Sequence, residues 1–599
     1  MRRGVARSAI ETLCIAPLVA WMSAGAATSM ATPPAQTSGP PASSPAPAAK
    51  TASSGTASAS DPRADYDVDT YRLDLGVDPA EKRLSGTVAI EASVTSESLA
   101  NFELDLQKGW DVSRVVELAQ AVDPRGELRG SPLAFVHEGA RLDCALARPI
   151  ARGGRVRVAV SYSGKPVAKD SFAGFHWNKT ADGRPWISTS CQDEGSSSWW
   201  PCKDSFFHPE DKPARTFVNV TVPRGLVAVS NGRLVSRERS GELETFHWVH
   251  EYPCETYSIT LDVAPYVVVE QPLVLDGLAE PLRFDYYVLP EDAEKAKLQF
   301  ADAPKMLAVY SRYFGPFPFP KSKYALVETS FWGMEHSTAV AYGSSFPAWC
   351  KANGKRDRFA GANRFFDYIL IHESAHEWWG NAVSAKSWGH FWIHEGFATY
   401  AEGVYVESTQ GPEAAARYFA SIAPRVEKDS RLYRGDHVDS QQAYANVLYY
   451  KGACVLRTLR AFVDDDDAWW RTLKAFNLEY RYKNADTEDF RAVLERETKK
   501  DWKSFFDEWF YGAGYPLTNG RVAASQSRIV IDVDVGESAG TRFHLPLDVA
   551  WREGGATKRQ RIPLAPGHNH AEIECASAPS DVTLPRLGEI LGKHGVRVE

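Results

Sequence analysis

Cysteine, long apolar runs and surplus basic charge are all scarce in this sequence, and each absence narrows what it can be. Eight cysteines in 599 residues are too few for a disulfide-held scaffold, and no CxxC pair offers a cysteine-built metal site. The apolar stretch near the N-terminus, residues 13–20, is interrupted by Pro17 and falls well short of the roughly 20 residues that a spanning helix needs. Stable membrane insertion is therefore not expected. The formal net charge is -8 and no basic run is interleaved with aromatics, so nucleic acid is not an expected partner. No repeat of solenoid type is present. What remains is globular: 44% hydrophobic and 24% charged residues over this length predict several domains with large cores.

Arg2, Arg3 and Arg7 precede the apolar stretch and small residues 24–26 follow it, which is the pattern of a secretory signal cleaved after Ala26. The chain is accordingly expected to be exported, to the periplasm or the cell exterior. Residues 27–65 form a leader rich in Pro, Ala and Ser that cannot bury a core and is expected to be disordered. Seven cysteines remain after cleavage, an odd number that leaves at least one unpaired in a monomer. Cys191 and Cys202 can bridge in an oxidising compartment, and all seven are read as structural.

Over residues 66–274 apolar residues recur with period two: Val88, Ile90, Ala92 and Val94 share one parity, as do Val156, Val158, Val160 and Tyr162. An N-terminal β domain follows. Over residues 275–516 the period lengthens to three and four, including residues 365–379 and 395–407, and predicts a mainly helical domain. Period two returns over residues 517–599, in Ile529, Ile531, Val533 and Val535 and again in Phe543, Leu545, Leu547 and Val549, enough for a small β-sandwich. The expected fold class is multidomain α+β.

The chemistry is concentrated in His372-Glu373-Ser374-Ala375-His376, an HExxH sequence inside a helix-forming run. His372 and His376 lie one helical turn apart on one face, so both imidazoles reach a single ion. Glu373 points beside that face, where it can take a proton from water without ligating the metal. HExxH alone also fits a solvated helix face. Glu395, separated from His376 by eighteen residues, supplies the carboxylate that completes the three-ligand open site of a catalytic zinc, one ion per chain. His394 is the competing ligand, but it adjoins Glu395 and faces away if that helix has begun.

The stretch HESAHEWWGNAVSAKSWGHFWIHEGFATYAE, residues 372–402, resembles the zinc signature of the gluzincin aminopeptidases, the family of aminopeptidase N and the leukotriene-hydrolysing aminopeptidase. The resemblance extends to residues 84–86, 199–204, 505–510 and 514–516. It implies an N-terminal β-saddle, a thermolysin-like catalytic domain and a β-sandwich, in a compact bacterial-type member that ends at Glu599 without the large helical C-terminal domain of many relatives. A less enclosed site is expected. The family's oxyanion tyrosine is similar in its motif to residues 443–452 and falls on Tyr449, with Tyr450 or Tyr444 as alternatives in another register. Residues 332–336, Trp-Gly-Met-Glu-His, look like the family's Gly-x-Met-Glu-Asn exopeptidase motif. In it Glu335 grips the free amine, and Gly333 and Met334 run along the substrate. Trp332 and His336 depart from the usual Gly and Asn. Gln192 falls where relatives carry a second residue that touches the amine. Glu402, two turns beyond Glu395, can hydrogen-bond a zinc histidine or be a solvated glutamate.

The expected function is zinc-dependent removal of N-terminal residues from peptides with free N-termini. Three rivals share the fold. An endopeptidase has no use for Glu335, a non-catalytic binding protein has no need of Glu373 and Tyr449, and nothing here argues for lipid-epoxide hydrolysis.

Overall fold

The computed structural model describes residues 61–599 apart from 170–172, 192–194, 206, 345, 354–364 and 436–437. The expected signal segment and most of the leader lie outside the described residues. The described residues begin at Asp61, inside the expected leader. Asp61 caps a short turn, Pro62–Asp65, from which Arg63 enters the protein at 3% exposure to meet Asp61 at 2.6 Å and also Asp105. A guanidinium held among carboxylates orders this stretch, an interaction that composition does not reveal.

Alternation builds the first domain as expected. In strand Arg83–Val94 and strand Arg155–Gly164 the two apolar sets are buried and face one another in register, Val88 opposite Val160 and Ile90 opposite Val158. These strands are central in an eight-stranded sheet, accompanied by a four-stranded and a three-stranded sheet. Cys191 and Cys202 are not bridged. All seven cysteines among the described residues are buried free thiols, and Cys191 Sγ accepts a hydrogen bond from Trp199 Nε1 at 3.1 Å.

The second domain opens with a five-stranded sheet. Strand Val267–Leu273, which period-two patterning assigns to the first domain, pairs with Leu282–Val288 and is its outer member. At the opposite edge lies the two-residue strand Gly333–Met334, antiparallel to Val340–Gly343. Against the edge of this sheet packs the histidine helix, on which the glutamate helix packs, and on that in turn the tyrosine helix. The histidine helix, Tyr368–Ala375, starts where the Asp367 side chain accepts the Leu370 amide at 3.4 Å. It is shorter than the expected 365–379, because the chain turns sharply after His376 through Gly380, whose φ is +126°. A Cβ there would lie 3.2 Å from both His376 Nδ1 and His394 Nδ1, so the turn needs glycine for space as well as conformation. The glutamate helix, Trp392–Gln410, is buried along most of its length, and the tyrosine helix, Asn446–Val463, packs across it.

That crossing is set by two glycines. A Cβ on Gly452 would stand 2.6 Å from the Gly396 Cα, so the two backbones touch, and Glu395 and Tyr449 are brought to the same place. The last domain has a four-stranded and a three-stranded sheet whose inward residues, among them Ile531, Val533, Leu547 and Val549, form one core continuous with that of the helices. Trp509 meets Phe543 across this junction, with ring centroids 4.8 Å apart.

Gly452→Ala forces backbone against backbone, which no rotamer change relieves. Overpacking of this kind costs about 1–3 kcal/mol. The variant is expected to melt at a lower temperature than the parent in a calorimetric scan; an unchanged melting profile would show that the two helices separate freely.

Candidate active site

Three donor atoms converge at the meeting point of the histidine and glutamate helices. His372 Nε2 lies 3.3 Å from His376 Nε2 and 3.3 Å from Glu395 Oε2, and His376 Nε2 lies 3.6 Å from the same oxygen. All three residues are at most 2% exposed. Donors bound to one tetrahedral ion at about 2.0–2.1 Å are separated by about 3.3 Å, so the trio fits a zinc ion without rearrangement.

Each donor is held from behind. His372 Nδ1 bonds Glu402 Oε1 at 2.7 Å, and the other oxygen of Glu402 accepts from the Tyr418 hydroxyl at 2.7 Å. His376 Nδ1 donates to the Trp379 carbonyl at 2.8 Å. These bonds occupy both Nδ1 positions and leave the Nε2 lone pairs for a metal. Glu395 Oε1 accepts from the Tyr444 hydroxyl at 2.7 Å. Burial pushes the Glu395 carboxyl upward, but the neighbouring imidazoles of His372 and His376 and the Tyr444 hydroxyl hold it below the ordinary range, in the ionised form that a ligand requires.

Glu373 stands beside the trio, 8% exposed, its carboxyl pushed up to about 7 first by burial and further by Glu395 and Glu402, against the opposing pull of His372. A carboxylate so tuned can both accept and return a proton near neutrality. The ring of Tyr449 stacks on His372 with centroids 5.8 Å apart, and its hydroxyl is hydrogen-bonded to that of Tyr444. Tyr450 does not join them: its hydroxyl accepts from Arg425 at 3.0 Å. The three tyrosines are thus separated, with Tyr449 and Tyr444 at the donor cluster and Tyr450 outside it.

Glu335 is brought beside the same cluster. Its carboxylate, with donor atoms of Glu373 and His376, forms a second group of three atoms all within 4.8 Å of one another. Burial first, then the charges of Glu395 and Glu373, push its carboxyl well above the usual range. Gly333 lies against the histidine helix: a Cβ there would come 2.8 Å from the Ile369 side chain and 3.3 Å from Glu373 Oε1. Met334 packs with Phe331, Ala341 and Tyr257. Trp332 is half-buried beside Tyr368, at 5.9 Å between ring centroids. His336 is fully buried, and burial pushes its imidazole down to about 3, a neutral ring. Gln192 lies outside the described residues.

Two residues of the site, Tyr257 and Asn381, carry no local sequence signal. Tyr257, from the short turn Thr256–Ser258, donates from its hydroxyl to Glu335 Oε1 at 3.1 Å across 78 positions of sequence. Asn381 Nδ2 donates to the Glu335 carbonyl at 2.9 Å. Only the fold joins these to the motif. His394, the competing ligand, lies within the helix that begins at Trp392 and turns away from the metal trio as expected, to Tyr257 and to the Ala385 amide.

A β domain leading into a sheet-and-helix domain with His, His and Glu on two adjoining helices defines a metallopeptidase of the gluzincin type. Two family models match in succession, the Peptidase M1 N-terminal domain over residues 67–258 and the Peptidase family M1 domain over residues 298–509, and the chain belongs to peptidase family M1. It is 24% identical over 422 residues to Aminopeptidase M1-D of Oryza sativa subsp. japonica, a match covering 67% of this chain and 46% of that protein. It is 23% identical over 403 residues to a leucyl aminopeptidase of Saccharolobus solfataricus, covering 65% of this chain and 49% of that one. The chain therefore spans about half the length of these relatives. Its fold resembles an M1 zinc metallopeptidase variant of Deinococcus radiodurans solved with a Tyr-Ser-Ala substrate, at a TM-score of 0.61 and 24% identity over 76% of this chain and 95% of that one.

Removing the support of His372 should loosen the metal without removing a ligand. Glu402→Ala is expected to lower zinc affinity roughly 10- to 100-fold, measured by chelator competition on the purified protein. Wild-type affinity would show that Glu402 does not orient the ring.

Proposed function

We propose that the protein is a zinc-dependent aminopeptidase that releases residues one at a time from peptides with free N-termini. The observation that carries this reading is the position of Glu335, a third buried carboxylate within 4.8 Å of donor atoms of Glu373 and His376. A buried carboxylate that neither ligates the metal nor moves the proton calls for a cation, and the α-ammonium of a peptide is that cation. An endopeptidase has no charge to place there.

His372, His376 and Glu395 hold zinc, which when bound polarises the scissile carbonyl and makes a nearby water more acidic. Glu373 accepts the proton of the attacking water and returns it to the leaving amine. Tyr449 donates its hydroxyl to the oxyanion of the tetrahedral intermediate. Burial pushes the Tyr449 phenol well above its ordinary range, so it stays protonated and able to donate. Glu335 pairs with the α-ammonium, helped by Gln192. Gly333 and Met334 form the outermost strand of their sheet, so their backbone is available to run along an extended substrate. Glu402 orients His372. We also read residues 1–26 as an export signal, which puts peptide trimming in the periplasm or outside the cell.

Glu373→Gln should keep its zinc and lose nearly all turnover, because an amide accepts no proton. Tyr449→Phe should keep zinc and lose roughly 10²- to 10³-fold in rate, the usual effect of one missing oxyanion donor. Wild-type turnover in Tyr449→Phe would move the role to Tyr444.

The test of the reading as a whole is substrate charge. Peptides with free N-termini should be trimmed stepwise while their N-acetylated counterparts survive, as followed by mass spectrometry. Equal cleavage of both at internal bonds would leave a metallopeptidase but not an aminopeptidase.

A further inference from the structure

Glu335 is gripped by the N-terminal domain through a hydrogen bond of fixed direction. The Ala385 backbone amide donates to His394 Nε2 at 2.9 Å, so that nitrogen carries no hydrogen and the ring hydrogen of His394 sits on Nδ1. His394 Nδ1 lies 3.3 Å from the Tyr257 hydroxyl, which must accept from it. The single hydrogen of Tyr257 is then committed to Glu335 Oε1, 3.1 Å away. One backbone amide thus sets the sense of a chain that runs from His394 through Tyr257 to the carboxylate.

The same turn also fixes the main chain from the Glu335 carbonyl to Ser337. Ser258 Oγ accepts from the Ser337 amide at 2.7 Å and donates to Asn381 Oδ1 at 3.0 Å, while Asn381 Nδ2 donates to the Glu335 carbonyl at 2.9 Å. The turn is tied in its own domain, where Ser205 Oγ accepts from the Tyr257 amide at 3.0 Å. Lys212, from that domain too, reaches the Asn381 carbonyl at 2.9 Å and Ser384 Oγ at 2.7 Å. Tyr257 is 3% exposed and Glu335 2%, so neither can trade these bonds for water.

We propose that Tyr257 is a positioning residue for the substrate amine: by donating to one oxygen of Glu335 it aims the carboxylate at the α-ammonium, so that selection of a free N-terminus is made jointly by the two domains. This rests on the reading of Glu335 as the amine-binding group. Tyr257 touches neither the scissile bond nor the metal ligands. Its loss should therefore act on recognition of the amine and spare zinc retention.

The experiment uses the full zinc-loaded protein and two probes, an amino-acid hydroxamate and its des-amino analogue, which differ only in the ammonium. Wild type is expected to prefer the amine-bearing probe. Tyr257→Phe, which removes one oxygen, is expected to reduce that preference roughly 10- to 100-fold, the range for losing a hydrogen bond to a charged group, with affinity for the des-amino probe and zinc content unchanged. KM for free aminoacyl amides should rise far more than kcat falls. In a Glu335→Ala background the same substitution should have no further effect on the preference. Incorporating 4-aminophenylalanine in place of Tyr257 keeps a donor and should restore the preference, which separates loss of the hydrogen bond from loss of packing. The proposal is overturned if Tyr257→Phe weakens both probes equally, or if its effect persists undiminished in Glu335→Ala. A wild type that does not distinguish the two probes would remove the amine-binding reading of Glu335 itself, and this proposal with it.

Discussion

Everything in the site depends on holding three electron-rich atoms 3.3 to 3.6 Å apart in a buried space. Left alone, two imidazole lone pairs and a carboxylate oxygen would turn apart and seek hydrogen-bond donors. They do not turn because each is occupied on its other side, His372 by Glu402, His376 by the Trp379 carbonyl and Glu395 by Tyr444. The arrangement is preorganised for a cation, and the order of the surrounding groups follows from it. Tyr418 fixes Glu402, the Gly380 turn clears space beside His376, and the Gly396–Gly452 contact brings the tyrosine helix within reach of Glu395.

A second consequence is the crowding of carboxylates. Glu335, Glu373 and Glu395 are buried close together, and burial first, then their mutual repulsion, keeps the carboxyls of Glu335 and Glu373 above the ordinary range. Three negative groups at low dielectric are tolerable only with positive charge to match. The proposed site supplies two such charges, the metal among its ligands and the ammonium at Glu335. Catalysis and N-terminal recognition are then aspects of one electrostatic arrangement, in which Glu373 is poised between the two cations.

The parts legible in the sequence are those with short-range spacing. The parity of Val88 to Val94 places those residues inside a strand, and HExxH with a glutamate beyond eighteen intervening residues brings His372, His376 and Glu395 together, although the two helices start at Tyr368 and Trp392, three residues later and three earlier than their patterns say. The length of the histidine helix was overestimated because the apolar pattern continues through Trp378 and Trp379, which are buried by a turn rather than by a helix. Arg63 was assigned to the leader because its partner Asp105 is far along the chain. The roles of Tyr257 and Asn381 carry no local signal, since they reach Glu335 across 78 and 46 positions of sequence, whereas the orientation of His394 away from the metal follows from a helix that has already begun at Trp392.

The central claim is that Glu335 ends the substrate's path by pairing with a charged amine. The most direct measurement is a crystal structure of the zinc-loaded protein with a tripeptide held in the Glu373→Gln variant. The account predicts the peptide's ammonium within hydrogen-bonding distance of the Glu335 carboxylate and its first carbonyl facing the zinc, with no peptide density beyond Glu335. A peptide that runs past Glu335 in both directions, with its ammonium in solvent, would contradict it.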